Sequence, residues 1–226
     1  MLSPSAYILF GLAVVWCVLL TAKASRGWAF PAILGLVGAL QWWLANAGFY
    51  RDTAAFPPPQ LAILVPMVLG LIAVFAFPAG RNWLRGTDLT ALTALHVLRI
   101  PVELVLHEAY LKGLVPGSMT YSGHNFDIFT GLSAAFMVAW MVSRRKPAKA
   151  VLVAWNLGGL VLLGIVVVTA VFSIPSSVQR WAFDQPNVLV VYSPWILLPA
   201  MLVPAVLWGH VAALYQLLAR PRSGGS

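Results

Sequence analysis

The sequence predicts an all-α protein folded inside a lipid bilayer, a single bundle of seven transmembrane helices. Three observations carry this. Of 226 residues, 61% are hydrophobic and 9% charged, where a soluble domain carries about a quarter charged residues. The mean hydropathy is +0.87. The apolar residues gather into runs near the length a bilayer demands, about 20 residues, with turn residues between them. No segment shows the alternation of a β-barrel strand. Disorder, a secreted disulfide scaffold and an ordinary soluble α/β enzyme are excluded by composition alone.

The first run is 6–22. Ala22-Lys23-Ala24 resembles a small-x-small cleavage site, but no positive charge precedes the run, so it reads as a retained helix. Cys17, the only cysteine, lies inside it and behaves as a small packed hydrophobe. The second run is 30–49, where Gly35 and Gly38 allow close helix contact. The third, 60–79, follows Pro57-Pro58-Pro59 and stops at Pro78-Ala79-Gly80. The fourth is 89–112. The fifth, 126–143, follows the Pro116-Gly117 turn. The sixth, 149–173, follows Lys146-Pro147 and carries Gly158 and Gly159. The seventh, 194–219, opens at Ser193-Pro194 and contains Pro199 and Pro204, which membrane helices tolerate. The long connection 174–193, with Arg180, Trp181, Phe183 and Tyr192, reads as an interfacial cap or a lid. Residues 1–222 form one domain, and Ser223-Gly224-Gly225-Ser226 reads as a linker.

Charge sets the expected orientation. The net charge is +8. Lys23, Arg26, Arg81, Arg85, Arg144, Arg145, Lys146, Lys149, Arg220 and Arg222 fall on one side of the bundle, and only Arg51, Lys112 and Arg180 on the other. The first side should be cytoplasmic, which puts the N-terminus outside and the C-terminus inside a plasma (inner) membrane. Trp28, Trp83, Trp181 and Trp195 fall near helix ends, where indole suits the headgroup layer. No basic stripe is interleaved with aromatic readers, so the expected partners are the bilayer and a small-molecule or lipid-like ligand, not nucleic acid.

The fourth run holds the chemistry. His96, Arg99, Glu103 and His107 are spaced by three, four and four residues, so at about 100° per residue they share one face, with Tyr110 in the same sector. A charge at the bilayer centre costs on the order of 3 kcal/mol, so this stripe must face protein or a wet cavity, and its helix must be central. Pro101 lacks an N–H and opposes the Val97 carbonyl, which predicts a bend. In the structural reading, Arg99 and Glu103 simply pair at i, i+4.

The polar groups divide into two layers. Toward the outside lie Glu103, His107, Tyr110, Gln41, Asn46 and Tyr50, with His124, Asn125 and Asp127 beyond the turn. Toward the inside, His96 shares a depth with Asn156 on the sixth run and His210 on the seventh. Glu103, His107, His124 and Asp127 form a mixed imidazole–carboxylate set that would suit a divalent metal such as zinc, manganese or non-haem iron. His96 and His210 meet the minimum for bis-histidine haem ligation, but two histidines alone argue poorly for haem, and core hydrogen bonding is the favoured reading. No lysine lies in the seventh run, so a retinal Schiff base has no anchor there.

The leading expectation is a small-molecule, ion or proton-coupled binding or transport-type protein. Its pocket would be built from His96, Arg99, Glu103, His107, Tyr110, Gln41, Asn46, Asn156 and His210. Two others stand beside it: a metal-dependent intramembrane enzyme acting on a lipid-like substrate, and a structural or assembly subunit in which the stripe only fixes helix contacts.

Overall fold

Pro4 presets the backbone at the first helical position, and Ser3 Oγ accepts from the Ala6 N–H at 3.3 Å, which starts helix α1 (Pro4–Ser25). Arg26 ends it in the left-handed region at φ 58°, and the Gly27 N–H closes back on the Ala22 carbonyl at 3.0 Å. The computed structural model describes residues 1–123, 125–144 and 146–219, and all regular structure among them is helical.

Helix α2 (Ala29–Asn46) leads through a 3-10 turn at Phe49–Arg51 to a second at Pro59–Ile63 and then to α3 (Val65–Ala76). A short helix, α4 (Pro78–Arg85), occupies a stretch that reads as a loop in sequence. Pro78 begins it, and Trp83 and Leu84 turn inward: Trp83 stacks on Trp208 with ring centroids 5.3 Å apart, and Leu84 is fully buried. Asp88 then caps α5 (Leu89–Leu95), its Oδ1 accepting from the Ala91 N–H at 2.9 Å. After a 3-10 turn at His96–Leu98 come α6 (Arg99–Leu111), α7 (Asp127–Val142) and α8 (Lys149–Ser173). The final stretch passes through a π-turn at Leu198–Leu202 into α9 (Val203–Leu218).

Both irregular turns precede a proline by the expected distance. Pro101 opposes the carbonyl of Val97, and the chain tightens to 3-10 over His96–Leu98. Pro204 opposes the carbonyl of Ala200, and there the chain widens instead. The bend anticipated at Pro101 thus takes the form of a tightened turn just before it.

Among the described residues, six helical stretches are long and apolar enough to cross a membrane: Pro4–Ser25, Ala29–Asn46, Pro59–Ala76, Leu89–Leu111, Lys149–Ser173 and Leu198–Leu218. The chain is a membrane protein on that ground. The expected fifth span, 126–143, is the exception, because α7 has 16 residues, about 24 Å of helix against about 30 Å of hydrocarbon.

The core gathers on the polar helix. In its apolar window Leu89–Leu111 is 61% buried, against 28% for α1 and 11% for Pro59–Ala76, so it is the centre of the bundle, as its charges require. Leu92, Leu95, Leu98 and Leu106 pack there with Phe10 and Cys17 of α1 and with Leu202 and Val206 near the start of α9. Small residues at the crossings, among them Ala13, Ala91, Ala109, Ala205 and Ala212, let the backbones approach. Trp195 departs from its expected place at the headgroups. It is 5% exposed and sits 4.9 Å from the Tyr7 ring and 5.0 Å from the Phe10 ring. The 174–193 segment closes the same end of the bundle, with the Val188 N–H on the Leu114 carbonyl at 3.0 Å and Gln185 Nε2 on the Val115 carbonyl at 2.6 Å.

Candidate functional site

The length of α7 is explained by what precedes it. Beyond Lys112 the chain does not stay at the end of the bundle but runs back along α6. Gly117 lies against the Tyr110 ring, where a Cβ would stand 3.1 Å from Cε2. Ser122 Oγ reaches His107 Nδ1 at 3.2 Å, and the Tyr121 ring stacks on His107 with centroids 4.4 Å apart. The Tyr121 N–H donates to Glu103 Oε1 at 2.7 Å, and Asn125 Nδ2 donates to Oε2 at 2.7 Å. Asp127, the first residue of α7, pairs with Arg99. Each step deeper in this segment meets a residue one turn deeper on α6. Glu103 is eight residues inside Leu111, about 12 Å along the axis. Re-entrant segment and short helix together therefore match the depth of Leu89–Leu111. Irregular backbone at that depth is tolerated because it is covered by protein: Val115, Met119, Thr120 and Asn125 are all buried.

Asn125 is the pivot of the descent. Its Nδ2 donates to both Glu103 Oε2 and the Met119 carbonyl, and its Oδ1 accepts from the Asp127 N–H at 2.9 Å. That bond also satisfies the first backbone donor of α7, whose preceding residue, Phe126, makes no side-chain cap. Gly131, on the next turn, allows α7 to close on α6, since a Cβ there would sit 2.9 Å from Ile100 Cγ1.

Arg99 joins the outer layer to the inner one. Its Nη1 holds Asp127, and its Nη2 lies 3.2 Å from His210 Nε2. A guanidinium can only donate, so His210 Nε2 accepts and the imidazole carries its proton on Nδ1. That proton is given to Asn156 Oδ1 at 2.9 Å, while Asn156 Nδ2 donates to the Leu152 carbonyl at 2.8 Å. His96 stacks on His210 with ring centroids 3.8 Å apart and 20° between planes, and Trp155 stands edge-on to His96. Rings in direct contact at that spacing leave no room for a macrocycle between them. Gly159 admits the His210 ring, because a Cβ there would fall 2.5 Å from Nε2. Both ring nitrogens of His96 are buried without a hydrogen-bond partner among the described residues.

The anticipated residues thus separate into groups. Arg99, Glu103, His96, His210 and Asn156 come together in one buried network, with His107 and Tyr110 half-buried at its outer end. Gln41 is buried but accepts from the Tyr50 hydroxyl, away from Arg99. Burial pushes that hydroxyl up to about 12, so it stays a donor. Asn46 is exposed at the end of α2. The expected i, i+4 pairing of Arg99 with Glu103 is replaced by Arg99 with Asp127, and Glu103 turns to the re-entrant segment instead. For the metal set, the carboxylates of Glu103 and Asp127 are engaged as described and His107 faces Ser122. His124 lies outside the described residues. Among those described, no three His, Cys, Asp or Glu side chains are grouped to hold a metal ion.

A cavity of about 90 Å³ lies beside this network. Its lining is mostly apolar, including Leu163, Val166 and Val167 of α8 with Leu202 and Val206, and takes in the side chains of Gln60, Arg99, Glu103, Asn125 and Asp127. Gln60 is the residue that sequence reasoning passed over. Its Nε2 is spent on the carbonyls of Tyr50 and Asp52, at 2.7 and 3.0 Å. Its signal is a lone amide just inside an apolar run, after three prolines. Gln60 Oε1 and Arg99 Nε, an acceptor and a donor, are buried without partners among the described residues.

Residues 56–218, which include every group lining this cavity, match a family described as "Domain of unknown function" (DUF8737). No curated protein and no solved structure matches the chain.

Proposed function

The chain belongs to the DUF8737 family, whose description assigns no activity, and we propose from its interior that it is a binding or transport-type membrane protein. Its ligand is a small amphiphile taken between α6, α8 and α9. The observation that carries this reading is the pair of unsatisfied groups, Gln60 Oε1 and Arg99 Nε, on two residues that line one mostly apolar cavity. An unpaired buried polar group costs about 1–3 kcal/mol, and a ligand that satisfies both groups relieves that cost. The carboxylates of Glu103 and Asp127 are already engaged, which leaves one acceptor, Gln60 Oε1, and one donor, Arg99 Nε. The head group that fits best is therefore a hydroxyl, which both donates to Gln60 Oε1 and accepts from Arg99 Nε, with its apolar body against Val166, Val167 and Leu202.

In this reading the chain is a multi-pass protein of the plasma membrane and crosses the bilayer seven times. The fifth crossing is made by the re-entrant segment and α7 together. The N-terminus is outside and the C-terminus cytoplasmic. The uneven distribution of Lys and Arg between the two ends of the bundle supports that orientation.

The test is a thermal-shift titration in detergent with propanol, propylamine and propionate, probes small enough for a cavity of about 90 Å³, on the native chain and on Gln60→Leu. Propanol should raise the melting temperature of the native chain, and propylamine and propionate should not. Gln60→Leu should lose that response. If all three probes act alike, or Gln60→Leu responds as the native chain does, the cavity is not a ligand site and the network only fixes helix contacts.

A further inference from the structure

A second space lies on the other side of α9. It is about 420 Å³ and runs between α2, α3 and α9, with walls that include Phe30, Ile33, Met67, Gly70, Leu71 and Leu207. It exists because α3 stands away from the bundle. No residue of α3 is buried, and its main contacts are with α4 and the Pro59–Ile63 turn. A Cβ on Gly70, which faces the gap, would meet nothing within 4 Å.

α4 is the prop that keeps the gap open. Gly80 sits against the backbone of Val74, where a Cβ would lie 2.8 Å from Cα, so α4 folds tightly against the end of α3. Arg81 Nη1 then donates to the Phe75 carbonyl at 2.5 Å. At its other end Trp83 stacks on Trp208 of α9 and meets the Phe30 ring edge-on at 5.3 Å. Both ends of α4 are thus fixed, one to α3 and one to α9.

An apolar slot of this size is not left empty in a bilayer. Its walls forgo dispersion contacts if it is vacant, and water entering it finds too few polar partners. An apolar cavity of about 150 Å³ already binds benzene, so this one has the volume of a chain rather than of a small solute. The end of the slot beside α4 is basic. Arg26 stands exposed between Ser25 and Gly27, which both line the space, and Arg85 stands exposed next to Leu84, which also lines it. Apolar walls flanked at one end by two exposed arginines, one of them resting over the Tyr215 ring of α9 at 5.5 Å, suit an anionic amphiphile.

We propose that the groove between α2, α3 and α9 holds an acyl chain of an anionic phospholipid whose head group meets Arg26 and Arg85. The test uses the full chain, delipidated in dodecyl maltoside and titrated with phosphatidylglycerol or phosphatidylcholine of the same acyl composition. Melting temperature and native mass spectrometry are the readouts. Phosphatidylglycerol should remain bound as one equivalent and raise the melting temperature by several degrees, and phosphatidylcholine should do neither. Gly70→Phe should fill the groove and abolish the retained lipid. Arg26→Ala combined with Arg85→Ala should reduce phosphatidylglycerol to the level of phosphatidylcholine while leaving the groove intact. Equal effects of the two lipids on the native chain, or undiminished lipid retention by Gly70→Phe, would overturn the proposal. So would a second copy of the chain, rather than lipid, retained at that face.

Discussion

Removing one member of the Arg99–Asp127 pair should cost far more than removing both. The two side chains are 3% and 12% exposed, so Arg99→Met strands a carboxylate and Asp127→Leu strands a guanidinium. Each single substitution should destabilise by about 3–5 kcal/mol, the cost of leaving a buried charge uncompensated. The double variant replaces the pair with apolar side chains of similar bulk, which is often neutral or favourable. It also takes from His210 the donor on Nε2, a loss of about 1 kcal/mol. The double variant should therefore lie within about 1–2 kcal/mol of the native chain. That leaves a coupling of about 4–9 kcal/mol, against a scatter of about 0.5 kcal/mol for independent sites. Reversible unfolding by dodecyl sulfate in mixed micelles, followed by tryptophan fluorescence, measures all four corners of the cycle. Single costs that simply add, with coupling below about 1 kcal/mol, would refute the buried pair.

Glu103→Gln replaces one acceptor oxygen with an amide NH₂ that faces the Tyr121 N–H or Asn125 Nδ2, both of them donors. It should destabilise by about 1–3 kcal/mol and speed hydrogen exchange across 119–126 more than across α1. Gly159→Ala puts a methyl group against the His210 ring. It should cost about 1–3 kcal/mol by overpacking, read as a lowered melting temperature, where Gly158→Ala, which meets open space, should not. Glu108 accepts from the backbone and hydroxyl of Ser3, at 2.5 and 2.6 Å, and pairs with Lys112. Glu108→Ala should leave the melting temperature nearly unchanged but speed exchange over the first turn of α1.

The polar stripe is legible in sequence because two constraints agree. A period of about 100° places His96, Arg99, Glu103 and His107 on one face, and hydrocarbon forbids that face to lipid. Matched depth for His96, Asn156 and His210 follows from counting residues in from the helix ends. Which of them touch does not. The ring stack depends on Gly159, which reads in sequence as a generic small residue, and the direct bond runs from His210 to Asn156. The partner of Arg99 is hidden for a different reason. Asp127 reaches it only because residues 112–126 turn inward, and neither hydropathy nor spacing reports the depth of a loop. The local i, i+4 rule favours Glu103 instead, but with the arginine N-terminal to the acid it is the weaker of the two orders. Asp127, approaching from another helix, takes the guanidinium. The fifth run is misjudged as a full span for the same reason, since the apolar stretch 126–143 does not reveal that its helix, of 16 residues, begins inside the protein.

The re-entrant course of the 112–126 segment is what brings Asp127 to Arg99, Asn125 to Glu103 and Ser122 to His107, and cysteine cross-linking tests it most directly. In a Cys17→Ala background, His107→Cys with Ser122→Cys should form a disulfide rapidly under mild oxidation in native membranes, because those side chains touch. Ala109→Cys with Ser122→Cys should not, since two residues along α6 turn about 200° and Ala109 is buried in the core with α1. Equal cross-linking of the two pairs, or none at position 107, would place the segment outside the bundle and contradict the account.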